Sequence, residues 1–471
     1  MPTPTIIEAA QALYRGHDVK EISRSDAGAY NLSLTTKALN RIIEQSKQHH
    51  EKSICFVTGV PGAGKTLVGL NIANERHQYD EQEHAVFLSG NGPLVAVLRE
   101  ALARDEIKRF KGKITKTASK RKVAAFIQNI HHFRDAYLPP SEQIPAEKVA
   151  IFDEAQRAWT KEQTAKFMLK RHVPGWNMSE PEFLISVMDR HQDWTVIICL
   201  IGGGQEIHTG EAGLLAWFDA LRDHFPDWNV YVSPQISDVE YTHGKQLEHL
   251  FTGLRLYREP NLHLSVSLRS FRNERVSAFV KSLLDENLPV AQQLYSELSP
   301  NYPITITRSL EKAQEWIRAQ ARGTERYGLI ASSGAKRLRQ FGIWVQSNIQ
   351  AENWFLNDKE DIRSSYFLED TATEFDIQGL EIDWAIVAWD ADYRIEKGHF
   401  KAYNFTGSSW KTVCKKDAQL YLKNTYRVLL TRARQGFVIF IPEGCDADLT
   451  RQSSFYDGIY YYLKKIGMKE L

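Results

Sequence analysis

The sequence predicts an α/β protein with two parallel-sheet units in series along its 471 residues. Three observations carry this. Short apolar runs of strand length alternate with helical stretches, as strands buried on both faces require. One of these runs feeds a glycine-rich loop and then a helix. The rhythm breaks at a helix-poor stretch, Tyr231 to His243, and then resumes. Two sheets fit this pattern better than one very large sheet. The boundary is expected near residue 245, giving a leader over 1–30, a first domain over 31–245 and a second over 246–471.

Taken in order, Ser53–Thr58 reads as a strand and Leu67 to Arg76 as a helix. His84–Ser89 is the next strand, followed by a helix from Leu94 to Arg104. Val149–Phe152 is a strand ending in Asp153-Glu154, and Thr195–Ile201 runs into Gly202-Gly203-Gly204. In the second half, Leu262–Leu268 reads as a strand and Glu274 to Leu284 as a helix. Ile304–Thr307 is a strand, with a helix from Leu310 to Arg322. Tyr327–Ala331, Ile382–Ala388 and Phe437–Ile441 complete the strands.

Composition narrows the class. With 43% hydrophobic and 25% charged residues, the chain can build two or three sizeable cores. A net charge of +1 does not announce a nucleic-acid partner, which would have to be met by local basic patches. The four cysteines are far apart, with no C-x-x-C pair. That argues against a disulfide framework or zinc knuckle and suits a reducing cytoplasm. No run reaches the length of a membrane span, and Met1 to Tyr30 lacks the order of a signal peptide. A cytoplasmic protein with no membrane partner is expected.

The chemistry begins at Gly59-Val60-Pro61-Gly62-Ala63-Gly64-Lys65-Thr66, a G-x-x-x-x-G-K-T loop set between strand and helix. Gly59, Gly62 and Gly64 let the backbone wrap phosphates, and the N–H groups of Pro61's neighbours and Ala63 line an anion-binding concavity. The following helix points its positive end at the same charge. Lys65 would reach the β- and γ-phosphates and Thr66 would ligate Mg²⁺. The strand ending in Asp153-Glu154 supplies two carboxylates that strand alternation points in different directions. Asp153 would hold Mg²⁺, and Glu154 would orient and deprotonate the attacking water. An acid pair after such a loop reads as hydrolysis of the bound nucleotide. Gln205, at the end of the next strand, would sense the γ-phosphate.

Further motifs lie downstream. Leu268-Arg269-Ser270-Phe271-Arg272 places arginines past a strand. Thr371 to Glu381, containing Gln378-Gly379-Leu380-Glu381, precedes another, and Asn424 to Arg434 precedes the last. Arginine on a γ-phosphate stabilises transition-state charge. In this order the motifs resemble superfamily 1 helicases, and most closely the Schlafen group 3-type DNA/RNA helicase domain of bacterial proteins, over Leu34 to Pro442. That resemblance implies two RecA-like P-loop NTPase domains in tandem with ATP in the cleft between them. It implies Arg269 and Arg432 as arginine fingers. Glu381 would contribute to nucleotide binding, and with the Thr371–Gln378 loop would couple nucleotide state to nucleic acid. Two departures stand out. Leu32-Ser33-Leu34-Thr35-Thr36-Lys37 occupies the place where many relatives carry an adenine-reading glutamine. The chain is also short for the superfamily, which favours translocation or remodelling over processive unwinding.

For nucleic acid, a basic run from Arg104 to Lys122 includes Lys116, Lys120 and Arg121, and is followed by aromatics including Phe133. Cations track phosphates and aromatic faces stack bases. Ser89 and Asn91 follow the second strand, where relatives contact the strand backbone, and Thr371 belongs to the coupling loop. The expected partner is single-stranded or duplex nucleic acid, DNA ahead of RNA. The expected function is an ATP-dependent translocase or helicase. The alternative is a nucleic-acid-sensing ATPase subunit that recruits an effector such as a nuclease, in an anti-phage setting, without unwinding. The segments Thr160 to Asp189 and Asp390 to Lys423 match no chemistry.

Overall fold

The computed structural model of the protein describes residues 4–17, 26–60, 62–79, 84–202, 213–237, 251–266 and 271–471. The chain forms two compact units, Met1–Leu268 and Arg269–Leu471. The boundary expected near 245 falls within 238–250, outside the described residues. The expected leader contributes a helix, Ile6–Tyr14, to the first unit. Thr5 and Glu8 cap it with reciprocal side-chain hydrogen bonds, and Ala9, Ala10, Leu13 and Tyr14 are buried. Asn74 donates to the Leu13 carbonyl at 2.9 Å, tying this helix to the one that follows the glycine-rich loop.

The first unit is built on an eight-stranded parallel sheet. Its strands are β1 (Lys52–Gly59), β2 (Ala85–Ser89), β3 (Ile127–Asn129), β4 (Val149–Asp153), β5 (Thr195–Leu200), β6 (Asn229–Val232), β7 (Arg255–Arg258) and β8 (His263–Leu264). The order is β3-β2-β4-β5-β1-β6-β7, with β8 also beside β1. Nearly every residue of β1, β2, β4 and β5 is buried, as continuous apolar runs require. One strand, β5, separates β1 from β4, so the glycine-rich loop and the acid pair leave the same carboxyl edge of the sheet, where such folds bind ligands. The helix Lys65–Tyr79 lies close on this sheet. A Cβ at Gly69 would meet Leu200 Cδ1 at 2.8 Å and Ile151 Cγ2 at 3.0 Å.

The strand expected over Leu262–Leu268 is instead two residues long and belongs to the first sheet, parallel to the end of β1. The reason is Gly59, whose missing side chain lets Leu264 in. A Cβ there would lie 2.7 Å from Leu264 Cβ. Val60 N–H donates to the Leu264 carbonyl at 3.0 Å, and Thr58 Oγ1 and His263 Nδ1 share a 2.9 Å hydrogen bond.

The second unit has a six-stranded parallel sheet of β9 (Ile304–Thr307), β10 (Tyr327–Ala331), β11 (Thr371–Ala372), β12 (Ile382–Ala388), β16 (Ala433–Phe440) and β17 (Lys469–Glu470). Its order is β11-β10-β12-β16-β9-β17. The chain is thus two RecA-like α/β units in tandem. Between β12 and the helix Lys416–Leu430, the segment that matched no chemistry folds as an antiparallel sheet of β13 (Tyr393–Glu396), β14 (His399–Thr406) and β15 (Ser409–Thr412). Its Tyr393 and Phe400 rings stack 4.6 Å apart. The other unexplained segment, Thr160 to Asp189, forms helices Lys161–Lys170 and Glu180–Asp189.

Candidate functional site

The glycine-rich loop is already bent for phosphate. Gly62 and Gly64 take φ of 76° and 90°, the left-handed region that glycine occupies without strain. Gly59 does not, and its role here is the close approach of Leu264 described above. Ala63 is buried and its N–H closes a turn onto the Val60 carbonyl at 3.1 Å. Pro61 lies outside the described residues. Lys65 heads the helix and donates Nζ to the carbonyls of Gly59 (2.7 Å) and Val60 (3.3 Å). The ammonium is therefore held over the mouth of the loop by acceptors that phosphate oxygens can replace.

Thr66 Oγ1 donates to Asp153 Oδ1 at 3.1 Å, which brings the expected metal pair together. Parallel pairing of β2 and β4 sets Ser89 beside Asp153, and Ser89 Oγ stands 3.5 Å from Asp153 Oδ2. Burial first, and the adjacent Glu154 carboxylate second, push Asp153 well above the usual carboxylate range. A buried anion in that condition is short of positive charge. The donor set, one hydroxyl and one carboxylate beside a phosphate loop, fits Mg²⁺, which keeps most of its waters and takes few protein ligands.

Glu154 has φ of 53°, uncommon for a residue with a side chain and a kind of backbone strain that clusters at active sites. The turn aims its carboxylate back along the sheet edge. Gln156 Nε2 donates to Glu154 Oε2 at 2.5 Å, while Gln156 Oε1 accepts from Gly202 N–H at 3.0 Å. Arg157 Nε lies 3.6 Å from the same Glu154 oxygen. Trp217 Nε1 donates to the Ala155 carbonyl at 2.9 Å and pins the turn from beneath. Gln156, Arg157 and Gly202 are thus parts of the site that the sequence reading did not assign. Contiguity of Gln156 and Arg157 with the acid pair was the available signal. Gln205 and Arg269 lie outside the described residues.

The residues expected on nucleic acid fare differently. Ser89 is buried, and its Oγ accepts from Asn91 N–H at 3.2 Å. Asn91 caps the helix Gly92–Arg109 through Leu94 N–H. The basic run ends in a helix, Lys116–Phe126, packed on Gly92–Arg109. Lys116 and Lys120 both reach Glu100, at 2.8 and 2.6 Å, and Arg104 joins them at 2.8 Å. Burial would raise Glu100, but these cations outweigh it and hold it down to about 2. Three cations thus share one carboxylate, which fixes where they sit and leaves this part of the run net positive. Arg121 is exposed. Phe133 offers no stacking face, because its ring is 2% exposed and packs on Tyr137 at 4.9 Å. The expectation of a base platform there is overturned by core packing.

In the second unit, Thr371 is buried in β11, paired with Leu329, and its Oγ1 has no hydrogen-bond partner among the described residues. Glu381, half-buried, directly precedes β12, after the left-handed Gly379. Arg432 is buried just past the helix Lys416–Leu430 and donates Nε to the Val428 carbonyl at 3.2 Å. Among the described residues, no cluster of three or more His, Cys, Asp or Glu gathers for a metal, and no helix is long and apolar enough to cross a membrane.

A strand, a phosphate loop with lysine and threonine at its helix head, and two acids one strand away define a P-loop NTPase unit. The chain belongs to the Schlafen group 3 DNA/RNA helicase domain family, whose model matches residues 52–443. No curated protein sequence matches it. Among solved structures, it aligns with the Hef helicase domain of Pyrococcus furiosus at 11% identity and TM-score 0.28, over 91% of this chain and 99% of that one. It aligns with the DUF1998 helicase MrfA bound to DNA at 10% identity and TM-score 0.33, over 100% of this chain and 56% of that one. With S. cerevisiae Dbp5 bound to RNA and ADP BeF3 it shares 12% identity at TM-score 0.31, over 94% and 93%. TM-scores this low carry nothing further across.

Proposed function

We propose that this chain is an ATP-dependent nucleic-acid translocase or helicase of superfamily 1. The observation that carries the reading is the alignment of Lys65, Thr66, Asp153 and Glu154 on one sheet edge, with Thr66 Oγ1 3.1 Å from Asp153. Gly62, Ala63 and Gly64 cradle the phosphates and Lys65 exchanges its carbonyl partners for their oxygens. Mg²⁺ held by Thr66 and Asp153 would neutralise charge on the β- and γ-phosphate oxygens. Glu154, steadied by Gln156, orients the attacking water and takes its proton. Arg269 and Arg432 supply the transition-state charge compensation that the family resemblance implies. Glu381 and the Thr371–Gln378 loop report nucleotide state to the bound strand. DNA is the partner proposed ahead of RNA.

Lys65→Ala and Glu154→Gln are each expected to abolish turnover, a fall of about 10³ or more in kcat. ATPase assays titrated with single- and double-stranded DNA and RNA check this, beside strand displacement. Normal rates in either variant remove the mechanism. Stimulation by single strands without displacement would favour the alternative, an effector-recruiting switch.

A further inference from the structure

Two carboxylates of the second unit are sealed inside it and held by uncharged donors. Glu374 opens the short helix Glu374–Ile377. It accepts from Ser333 N–H at 2.9 Å, Ser333 Oγ at 2.7 Å and Thr425 Oγ1 at 3.4 Å. Asp392 follows β12 and accepts from Ser332 Oγ at 2.6 Å and Tyr426 OH at 2.6 Å. Both acids thus make the same kind of bridge. Consecutive serines of the loop after β10 are joined to consecutive residues of the helix Lys416–Leu430, each through one buried carboxylate. Ser332, Glu374, Asp392, Thr425 and Tyr426 are all buried.

Such bridges are an expensive way to dock a helix. Burying a carboxylate costs several kcal/mol before its hydrogen bonds are counted, and a packed apolar pair would hold the same surfaces with less loss (on the order of 1–4 kcal/mol in comparable replacements). What hydrogen-bonded acids add is a fixed register: short, directional bonds define one position of the helix along its axis. A little over one turn beyond Thr425 and Tyr426 that helix ends at Leu430, and Arg432 follows, its guanidinium folded onto Val428. Glu374 also stands in the Thr371–Gln378 segment that the proposed function makes responsive to nucleic acid.

We infer that Glu374 and Asp392 are positioning residues for Arg432: they set the helix Lys416–Leu430 against the Ser332–Ser333 loop so that the arginine delivers its charge in ATP hydrolysis. The inference rests on the role proposed for Arg432 above. The bridges act through the helix, so they leave nucleotide binding by the glycine-rich loop untouched.

The test is a double-mutant cycle on the full chain at saturating Mg-ATP. Glu374→Gln and Asp392→Asn should each lower kcat by about ten- to a hundred-fold, since a 1 Å misplacement of a catalytic group is worth about that much. KM and affinity for a fluorescent ATP analogue should stay within about twofold. Combined with Arg432→Ala, either change should add nothing, because its effect runs through the arginine already removed. If either variant fails to fold by circular dichroism, Ser333→Ala and Tyr426→Phe probe the same bridges from the donor side. Wild-type kcat in the bridge variants, or losses that multiply with Arg432→Ala, overturn the inference while leaving the proposed function standing. Wild-type kcat in Arg432→Ala itself overturns the arginine's role and the positioning with it.

Discussion

Strand β4 of the first unit and strand β12 of the second end alike. Each is a buried apolar run in a parallel sheet that delivers carboxylates at its carboxyl end, Asp153-Glu154 in one and Asp390 with Asp392 in the other. In each, a glycine on a neighbouring segment makes room for an acid. A Cβ at Gly202 would lie 2.6 Å from Glu154 Oε2, and one at Gly334 would lie 2.8 Å from Asp392 Oδ2. The surroundings separate them. The Glu154 side chain keeps 36% of its surface open, whereas Asp392 is fully buried under Ser332 and Tyr426. An acid at a strand end is therefore no catalyst by position alone. What the flanking loops leave uncovered decides whether it can meet water and phosphate or can only hold a neighbour in place.

The two glycines turn that contrast into measurements. Gly202→Ala should have the larger effect. The added methyl displaces the far ends of the Glu154 and Gln156 side chains, which can move, so folding should survive. The proposed base leaves its position, and kcat should drop about a hundred-fold. Steady-state ATPase and thermal unfolding of the same sample check both halves. An unchanged kcat would mean that Glu154 is not where the chemistry happens. Gly334→Ala should show the reverse emphasis. Asp392 has no room to retreat, so overpacking should destabilise the second unit by about 1–3 kcal/mol. Its melting transition should fall, with any loss of rate following from the bridge to Tyr426. Equal effects of the two substitutions on stability would erase the distinction between an open acid and a sealed one.

Much of this was readable in the chain, and the boundary is physical. Gly59 to Thr66 and Asp153-Glu154 were legible because phosphate chemistry needs those groups within a few residues of one strand end, so local sequence encodes them. The core strands were legible as apolar runs. Sequence placed a strand over Leu262–Leu268 but could not show that β8 is two residues long and joins the first sheet, since that place depends on the missing side chain of Gly59. It misjudged Phe133, whose ring is buried in the core, and did not show that Lys116 and Lys120 share Glu100, because those neighbours come from elements elsewhere along the chain. The bridges of Glu374 and Asp392 were hidden for the same reason. Their partners lie 41 and 51, and 60 and 34, residues away.

The smallest expected effect is a slope in stability against pH, and it tests whether Asp392 is as sealed as its surroundings imply. Burial first, then the charges of Asp390 and Glu374, raise Asp392 from 3.8 to about 7 in the folded chain, against opposing hydrogen bonds from Ser332 and Tyr426. The unfolded chain releases that proton near the ordinary value. Between about pH 4 and 7 the folded state therefore binds more protons than the unfolded one, and the contribution of this residue to stability falls as pH rises through that window. Asp392→Asn has no proton to lose. The unfolding free energy of the wild type minus that of Asp392→Asn should decline from pH 4 to 7, by at most about 1.4 kcal/mol per pH unit, and level off above. A difference that stays flat or climbs with pH would place water at Asp392, and the two strand ends would then be alike in kind.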